Sequence, residues 1–228
     1  MSLKIIGEIG LNHLGKNEIL NEYVNKFKNK GLNAITIQIF EDNQSNFSLK
    51  KYRLERKYIR NFIKKAKNNF DEVGLAIFDW KDFDFLKSLN LDFIKLLSKS
   101  FENYKYIEKI QKLNLKQVYL STGLSSNKKI SQIISKLKKQ KLNLIHTSFN
   151  ENNIKKDFKK MEKMRKLDIP VCFGSHYKNK GNLLAACKHD PKAIFFYLKL
   201  NKKLQYPDNK HAIPLNKIKF IINNIKKI

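Results

Sequence analysis

Leu3-Lys4-Ile5-Ile6-Gly7-Glu8-Ile9-Gly10-Leu11-Asn12-His13 is the stretch from which the rest of the chain is read. Its apolar start, residues 3–6, reads as a buried strand. It then sets an acid, an amide and an imidazole within the six residues from Glu8 to His13. Gly7 and Gly10 beside them let the backbone turn tightly. A strand that finishes in polar, titratable groups is how the rim of a barrel site is built, so the question is whether other strands finish the same way.

Working outward, short apolar runs alternate with longer amphipathic stretches. The runs cover residues 3–9, 34–40, 73–78, 93–97, 117–121, 142–147, 170–173 and 193–200. The helical stretches between them cover 17–30, 48–69, 81–89, 103–113, 127–140, 152–166, 179–188 and 214–226. Asn17, Ser48 and Asn127 are suited to cap first turns, and Gly31 stands where a helix would stop. The strands are continuous apolar runs, as expected when both faces are covered. Eight such units in 228 residues predict an α/β chain folded as a (β/α)8 TIM barrel, a single domain over 1–228. A doubly wound open sheet is the alternative. Residues 41–47, the longest polar connection, read as a rim loop.

Composition narrows the function. A 42% hydrophobic content supplies a core and argues against global disorder. The formal charge of +27 raises nucleic-acid binding, but only Arg53, Arg56, Arg60 and Arg165 offer guanidinium forks, and the lysines spread over nearly every helical stretch. The charge therefore reads as a solvated lysine-rich surface, with no nucleic acid expected as partner. Cys172 and Cys187 make neither a disulfide framework nor a metal spacing. No signal peptide and no apolar run of membrane-spanning length is legible, so a cytoplasmic protein without a membrane partner is expected.

The expected strand ends carry Glu8, Asn12 and His13; Gln38; Asp79; Lys95 and Ser98; Ser121 and Thr122; His146 and Ser148; and His176. A single histidine after a strand is more often a hydrogen-bonded structural residue than a ligand. His146 and His176 close consecutive strands, however, and two neutral imidazoles are a start on a divalent-metal site. Lys95 lies inside an apolar run, where a lysine needs an anionic partner. That partner is a phosphate or carboxylate ligand, unless the ammonium reaches the surface. Ser121-Thr122-Gly123 is either an oxyanion donor or a polar turn before a helix.

These residues resemble those of the sialic acid synthase (N-acetylneuraminate synthase) family, also described as spore coat polysaccharide biosynthesis proteins. Glu8-Ile9-Gly10-Leu11-Asn12-His13 is similar to the family's opening Glu-Ile-Gly-x-Asn-His. Phe78-Asp79 with Phe83-Asp84-Phe85-Leu86 resembles its Pro-Phe-Asp and the following helix. Phe93-Ile94-Lys95-Leu96-Leu97-Ser98, with Asn103, resembles its Phe-Lys-Ile-Ala-Ser strand. Leu120-Ser121-Thr122-Gly123-Leu124 is similar to its Ser-Thr-Gly-Met. His146-Thr147-Ser148 and Ser175-His176 resemble the ends of its sixth and seventh strands, and Tyr206-Pro207-Asp208-Asn209-Lys210 is a weaker echo of Gly-Pro-Asp-His-Lys. The blocks keep the family's order.

The resemblance implies condensation of phosphoenolpyruvate with an N-acetylated amino sugar to a nonulosonic acid, with release of phosphate, in surface-glycan biosynthesis. It implies a divalent metal, Mn²⁺ or Mg²⁺, on His146 and His176, and Glu8 and His176 as catalytic residues. Lys95, Ser98, Ser121, Thr122, Gln38 and Asn103 are the implied substrate-binding set, with Asn12 and His13 as supports. The departures are specific. The family's second-strand lysine falls on Thr36 and its third-strand threonine on Ala76. Its Ser-Gly-Glu becomes Ser98-Lys99-Ser100, its seventh-strand Asp becomes Ser175, and its Glu-Lys-His becomes Phe195-Phe196-Tyr197. The family's C-terminal antifreeze-like domain is expected to be absent, which removes the main element of its dimer and leaves a homodimer as an open assembly. The rival expectation is a degenerate, non-catalytic barrel that binds a sugar phosphate or related metabolite.

Overall fold

A computed structural model describes residues 3–41, 47–123, 125–148, 154–201 and 203–228. The opening stretch forms β1 (Lys4–Gly10), followed by α1 (Asn17–Phe27), β2 (Ala34–Gln38), α2 (Arg56–Lys67), β3 (Glu72–Ile77), α3 (Phe83–Lys87), β4 (Phe93–Leu96) and α4 (Tyr104–Gln111). The second half runs β5 (Gln117–Ser121), α5 (Asn127–Ile134), β6 (Leu142–Ser148), α6 (Ile154–Arg165), β7 (Val171–Ser175), α7 (Lys180–Cys187), β8 (Ala193–Lys199), the two-residue β9 (Ile213–Pro214) and α8 (Leu215–Ile225). All neighbouring strands are parallel, and β1 pairs with β8, with Glu8 opposite Tyr197. That pairing closes the sheet and removes the open-sheet alternative; the fold is a (β/α)8 TIM barrel forming a single domain.

Because successive residues of a strand face opposite ways, the closed sheet has two cores. Ile6, Ala34, Phe93, Tyr119, Ile145, Cys172, Ala193 and Phe195 pack together inside the barrel. The alternate residues pack against the helices in the larger outer core. Inside, Tyr119 meets Phe93 and Phe195 edge-on, at centroid distances of 5.3 and 5.0 Å. These three rings fill the barrel and form a floor under the strand ends.

The helices differ from expectation where a core contact outweighs helix propensity. Residues 48–69 were expected to form one helix but divide into a 3-10 turn at Phe47–Tyr52 and α2. Between them Leu54 is buried, and Gly15, at φ +71°, lies so close under the Lys51 carbonyl that a Cβ would sit 2.7 Å from it. Docking this segment over the β1–α1 turn breaks the helix. Caps also shift by a residue: Ser126, not Asn127, caps α5 by accepting from Lys129 N at 3.2 Å. Most of the expected rim loop (42–46) and the expected start of the sixth helix (152–153) lie outside the described residues. No described helix is long and apolar enough to cross a membrane.

Candidate active site

The C-terminal ends of the strands enclose a cavity of about 200 Å³. Among the expected residues Gln38, Lys95, Ser98, Ser121 and His176 line it, together with Phe78, Lys99, Gly123, Thr147 and Tyr197. Glu8 lies against it through Lys95. The Lys95 ammonium reaches across from β4 and donates to Glu8 Oε2 on β1. Both side chains are almost completely buried. Lys95 also stands over the Phe195 and Tyr197 rings, 5.2 and 6.0 Å from their centroids. Lys95 therefore has its anionic partner within the protein, on a floor of aromatic rings that shields the pair from water.

The loops after β7 and β8 supply the opposite wall. His176 packs against Tyr197 and His211, at centroid distances of 5.2 and 4.7 Å. Burial, then Lys95 and then His211, lowers the His176 pKa to about 3, so the ring is neutral at neutral pH. His211 is lowered to about 4 by burial and by Lys180, and its Nε2 lies 3.7 Å from Asp208 Oδ1. Asp208 is raised to about 6, chiefly by burial; Glu8 adds to the rise, while Leu11 N and Lys95 oppose it. Lys180 ties the two loops together by donating to the Tyr177 and His211 carbonyls at 2.8 and 2.6 Å.

The β1 end is built to hold this wall. Gly10 adopts φ +59°, and a Cβ on it would lie 2.5 Å from Tyr197 and 2.6 Å from Asp208, so only glycine permits the approach. Asn12 donates to the Leu198 carbonyl at 2.9 Å and accepts from Asp208 N at 3.0 Å. His13 donates from Nε2 to the Gln38 carbonyl at 3.0 Å and accepts at Nδ1 from Gly15 N at 3.0 Å. Both of its nitrogens are engaged, and burial holds its pKa near 4. Asn12 and His13 are supports.

Three expected site residues are placed elsewhere. His146 is on the wrong face of β6: its neighbour Ile145 occupies the barrel interior, so His146 points to the helix layer. There its Nε2 donates to Asp157 Oδ1 at 2.9 Å, and Asp157 Oδ2 accepts from Tyr177 OH at 2.5 Å. The His146–His176 pair is therefore not assembled. Among the described residues no three His, Cys, Asp or Glu side chains gather in a metal-holding group. The arrangement does not fit Mn²⁺ or Mg²⁺ held between those two rings. Thr122 turns its hydroxyl to the Ile145 carbonyl at 3.2 Å. Asn103 caps α4, accepting from Tyr106 N at 3.1 Å. Conversely, the structure adds His211, Tyr197 and Asp208. His211 follows no strand, and Tyr197 is hidden in an apolar run. Only the Tyr206–Lys210 echo pointed near Asp208.

A cation, hydroxyls and imidazoles converge at the C-terminal mouth of a parallel barrel, with a carboxylate behind them, the place where barrels of this kind hold small molecules. The NeuB family profile matches residues 21–228, and the chain belongs to that family. It is 25% identical to N,N'-diacetyllegionaminic acid synthase of Campylobacter jejuni, covering 98% of this chain and 75% of that protein. The sialic acid synthetase of Leptospira borgpetersenii, solved with citrate, superposes with a TM-score of 0.88 at 21% identity, covering 100% of this chain and 84% of that one. A Bacillus subtilis spore coat polysaccharide biosynthesis protein gives 0.81 at 17% identity, covering 99% and 67%. The last two likenesses support the fold.

Proposed function

We propose that this barrel condenses phosphoenolpyruvate with an N-acetylated amino sugar, forming a nonulosonic acid and releasing phosphate. The observation that carries the reading is that one cavity joins two complementary walls. Ser98 and Ser121 offer hydroxyls to a phosphorylated acid, and Lys95 adds an ammonium already shared with Glu8. His176 and Tyr197, with the Glu8 carboxylate behind Lys95, offer a neutral imidazole and an aromatic face to a sugar. Family membership and the named synthase relatives support the same reaction class.

In this reading the enol carbon of phosphoenolpyruvate attacks the open-chain aldehyde, forming the new carbon–carbon bond. His176, a neutral imidazole, stands at the wall where it would hydrogen-bond the aldehyde oxygen as that oxygen collects negative charge, and the proton the oxygen then takes up comes from solvent. Water adds to the resulting cation, Glu8 receives a proton from it, and phosphate leaves from the tetrahedral carbon. The aromatic floor keeps other water out. The resemblance implies a divalent ion, and the assay is accordingly run with and without Mn²⁺ or Mg²⁺.

The test is phosphate release from phosphoenolpyruvate in the presence of N-acetylmannosamine or related amino sugars. Sugar-dependent release that falls at least tenfold in Glu8→Gln supports the proposal. Absence of release with every sugar overturns it. Binding of phosphoenolpyruvate without turnover would instead identify a metabolite-binding barrel, a reading favoured by the internal pairing of Lys95 with Glu8.

A further inference from the structure

We propose that Lys99 is the cation that neutralises the outward charge of an anion bound in the mouth, completing a subsite that Lys95 alone leaves short of positive charge. This rests on the reading that the mouth accepts a phosphorylated carboxylic acid. Lys95 and Lys99 are the lysines lining the cavity among the described residues. They are not equivalent. Lys95 is buried and already matched by Glu8, so the pair presents little net charge to a ligand. A ligand bearing both a carboxylate and a phosphate needs further positive charge, or it loses more hydration than it regains.

Lys99 is placed to supply that charge. It belongs to the short turn Ser98–Ser100 that follows β4, and its side chain is exposed at the rim. Its ammonium stands 5.4 Å from the centroid of the Phe78 ring, a contact that orders a cation without neutralising it. The nearby acids are engaged elsewhere: Asp79 accepts from Ser100 Oγ at 3.2 Å, and Glu102 pairs with Lys129 at 3.2 Å. Lys99 has no carboxylate partner within ion-pair distance among the described residues.

The wall beside it is shaped for close approach. Gly123 adopts φ +53°, and a Cβ there would lie 2.6 Å from Ser98 Cβ. The absent side chain lets Ser98 and the Ser121–Gly123 turn face one space, with Lys99 above it. Hydroxyls, backbone and an unmatched cation on one wall are the chemistry that recognises a phosphoryl group or a second carboxylate.

Calorimetric titration tests this with phosphoenolpyruvate, inorganic phosphate and pyruvate on the wild type, Lys99→Gln and Lys99→Arg. Thermal melting of each variant checks that the exposed substitutions leave the fold intact. Phosphoenolpyruvate and phosphate should bind about tenfold more weakly to Lys99→Gln, with a shallower salt dependence, while pyruvate changes little and Lys99→Arg restores affinity. Equal phosphoenolpyruvate affinity in wild type and Lys99→Gln overturns the proposal, as does an equal loss for pyruvate, which would indicate only a diffuse surface field. Wild-type binding of phosphate but not of phosphoenolpyruvate, with loss of the phosphate in Lys99→Gln, supports the Lys99 subsite and removes phosphoenolpyruvate as its ligand. Absence of binding by all three anions overturns both readings.

Discussion

Two buried carboxylates on opposite faces of the sheet have similar chemistry and different surroundings. Glu8 faces inward and accepts from Lys95, which lines a cavity. Asp157 lies outside the sheet on α6, accepts from His146 and Tyr177, and is sealed between sheet and helices. Each carboxylate is hydrogen-bonded, as burial demands. Only the first pair can meet a ligand. A titratable group at a strand end is a chemical candidate only when its parity turns it into the mouth. His176 and His146 are the clearest instance.

Removing one partner of the inner pair should have the largest effect. Lys95→Met leaves the buried Glu8 carboxyl without its partner, which should cost roughly 3–5 kcal/mol in urea denaturation. Adding Glu8→Gln should recover most of that loss. Failure of the double variant to recover would show that Lys95 contributes by packing over Phe195 rather than by charge.

The outer pair should respond less and in a different property. Asp157→Asn should cost about 1–3 kcal/mol of stability while leaving ligand affinity at the mouth within twofold. A large loss of affinity in a stably folded variant would place the His146 side in the site after all.

The groups around the mouth also make stability depend on pH. His176 and His211 titrate near 3 and 4 in the folded protein and at the ordinary 6.5 when unfolded. The unfolded chain binds more protons over that interval, so their contribution to stability grows as pH rises from about 4 to 6.5. His13, near 4, adds to the same trend. Asp208 has the opposite sign: raised from 3.8 to about 6, it favours the folded state while protonated and loses that advantage as pH rises from about 4 to 6. Denaturation at pH 4.5, 5.5 and 6.5 should therefore show a shallower rise in His176→Gln and a steeper one in Asp208→Asn.

The smallest effect belongs to Asn103, whose side chain caps α4. Asn103→Ala should cost about 1 kcal/mol and leave anion binding unchanged.

The barrel was legible because eight apolar runs alternated with eight amphipathic ones, a pattern that local composition carries. Much of the mouth was legible too, since Glu8, Lys95, Ser98, Ser121 and His176 interrupt or end those runs. Parity was not. A strand buried on both faces has no polar alternation to show which residues point inward, so His146 and Thr122 looked equivalent to residues that face the cavity. Asn103 was misplaced for a different reason: asparagine suits both a ligand contact and an N-cap, and its position before α4 decides for the cap. His211 and Asp208 reach the site through a loop after β8, and their approach depends on contacts with Gly10 and Asn12 almost two hundred positions away in the chain.

The most direct measurement is the imidazole NMR spectrum during titration with phosphoenolpyruvate, with each of the five histidines assigned by substitution to Gln. His176 and His211 should shift with ligand while His146, engaged with Asp157, stays in place. Concerted movement of His146 and His176 would contradict this, showing that both rings face one ligand.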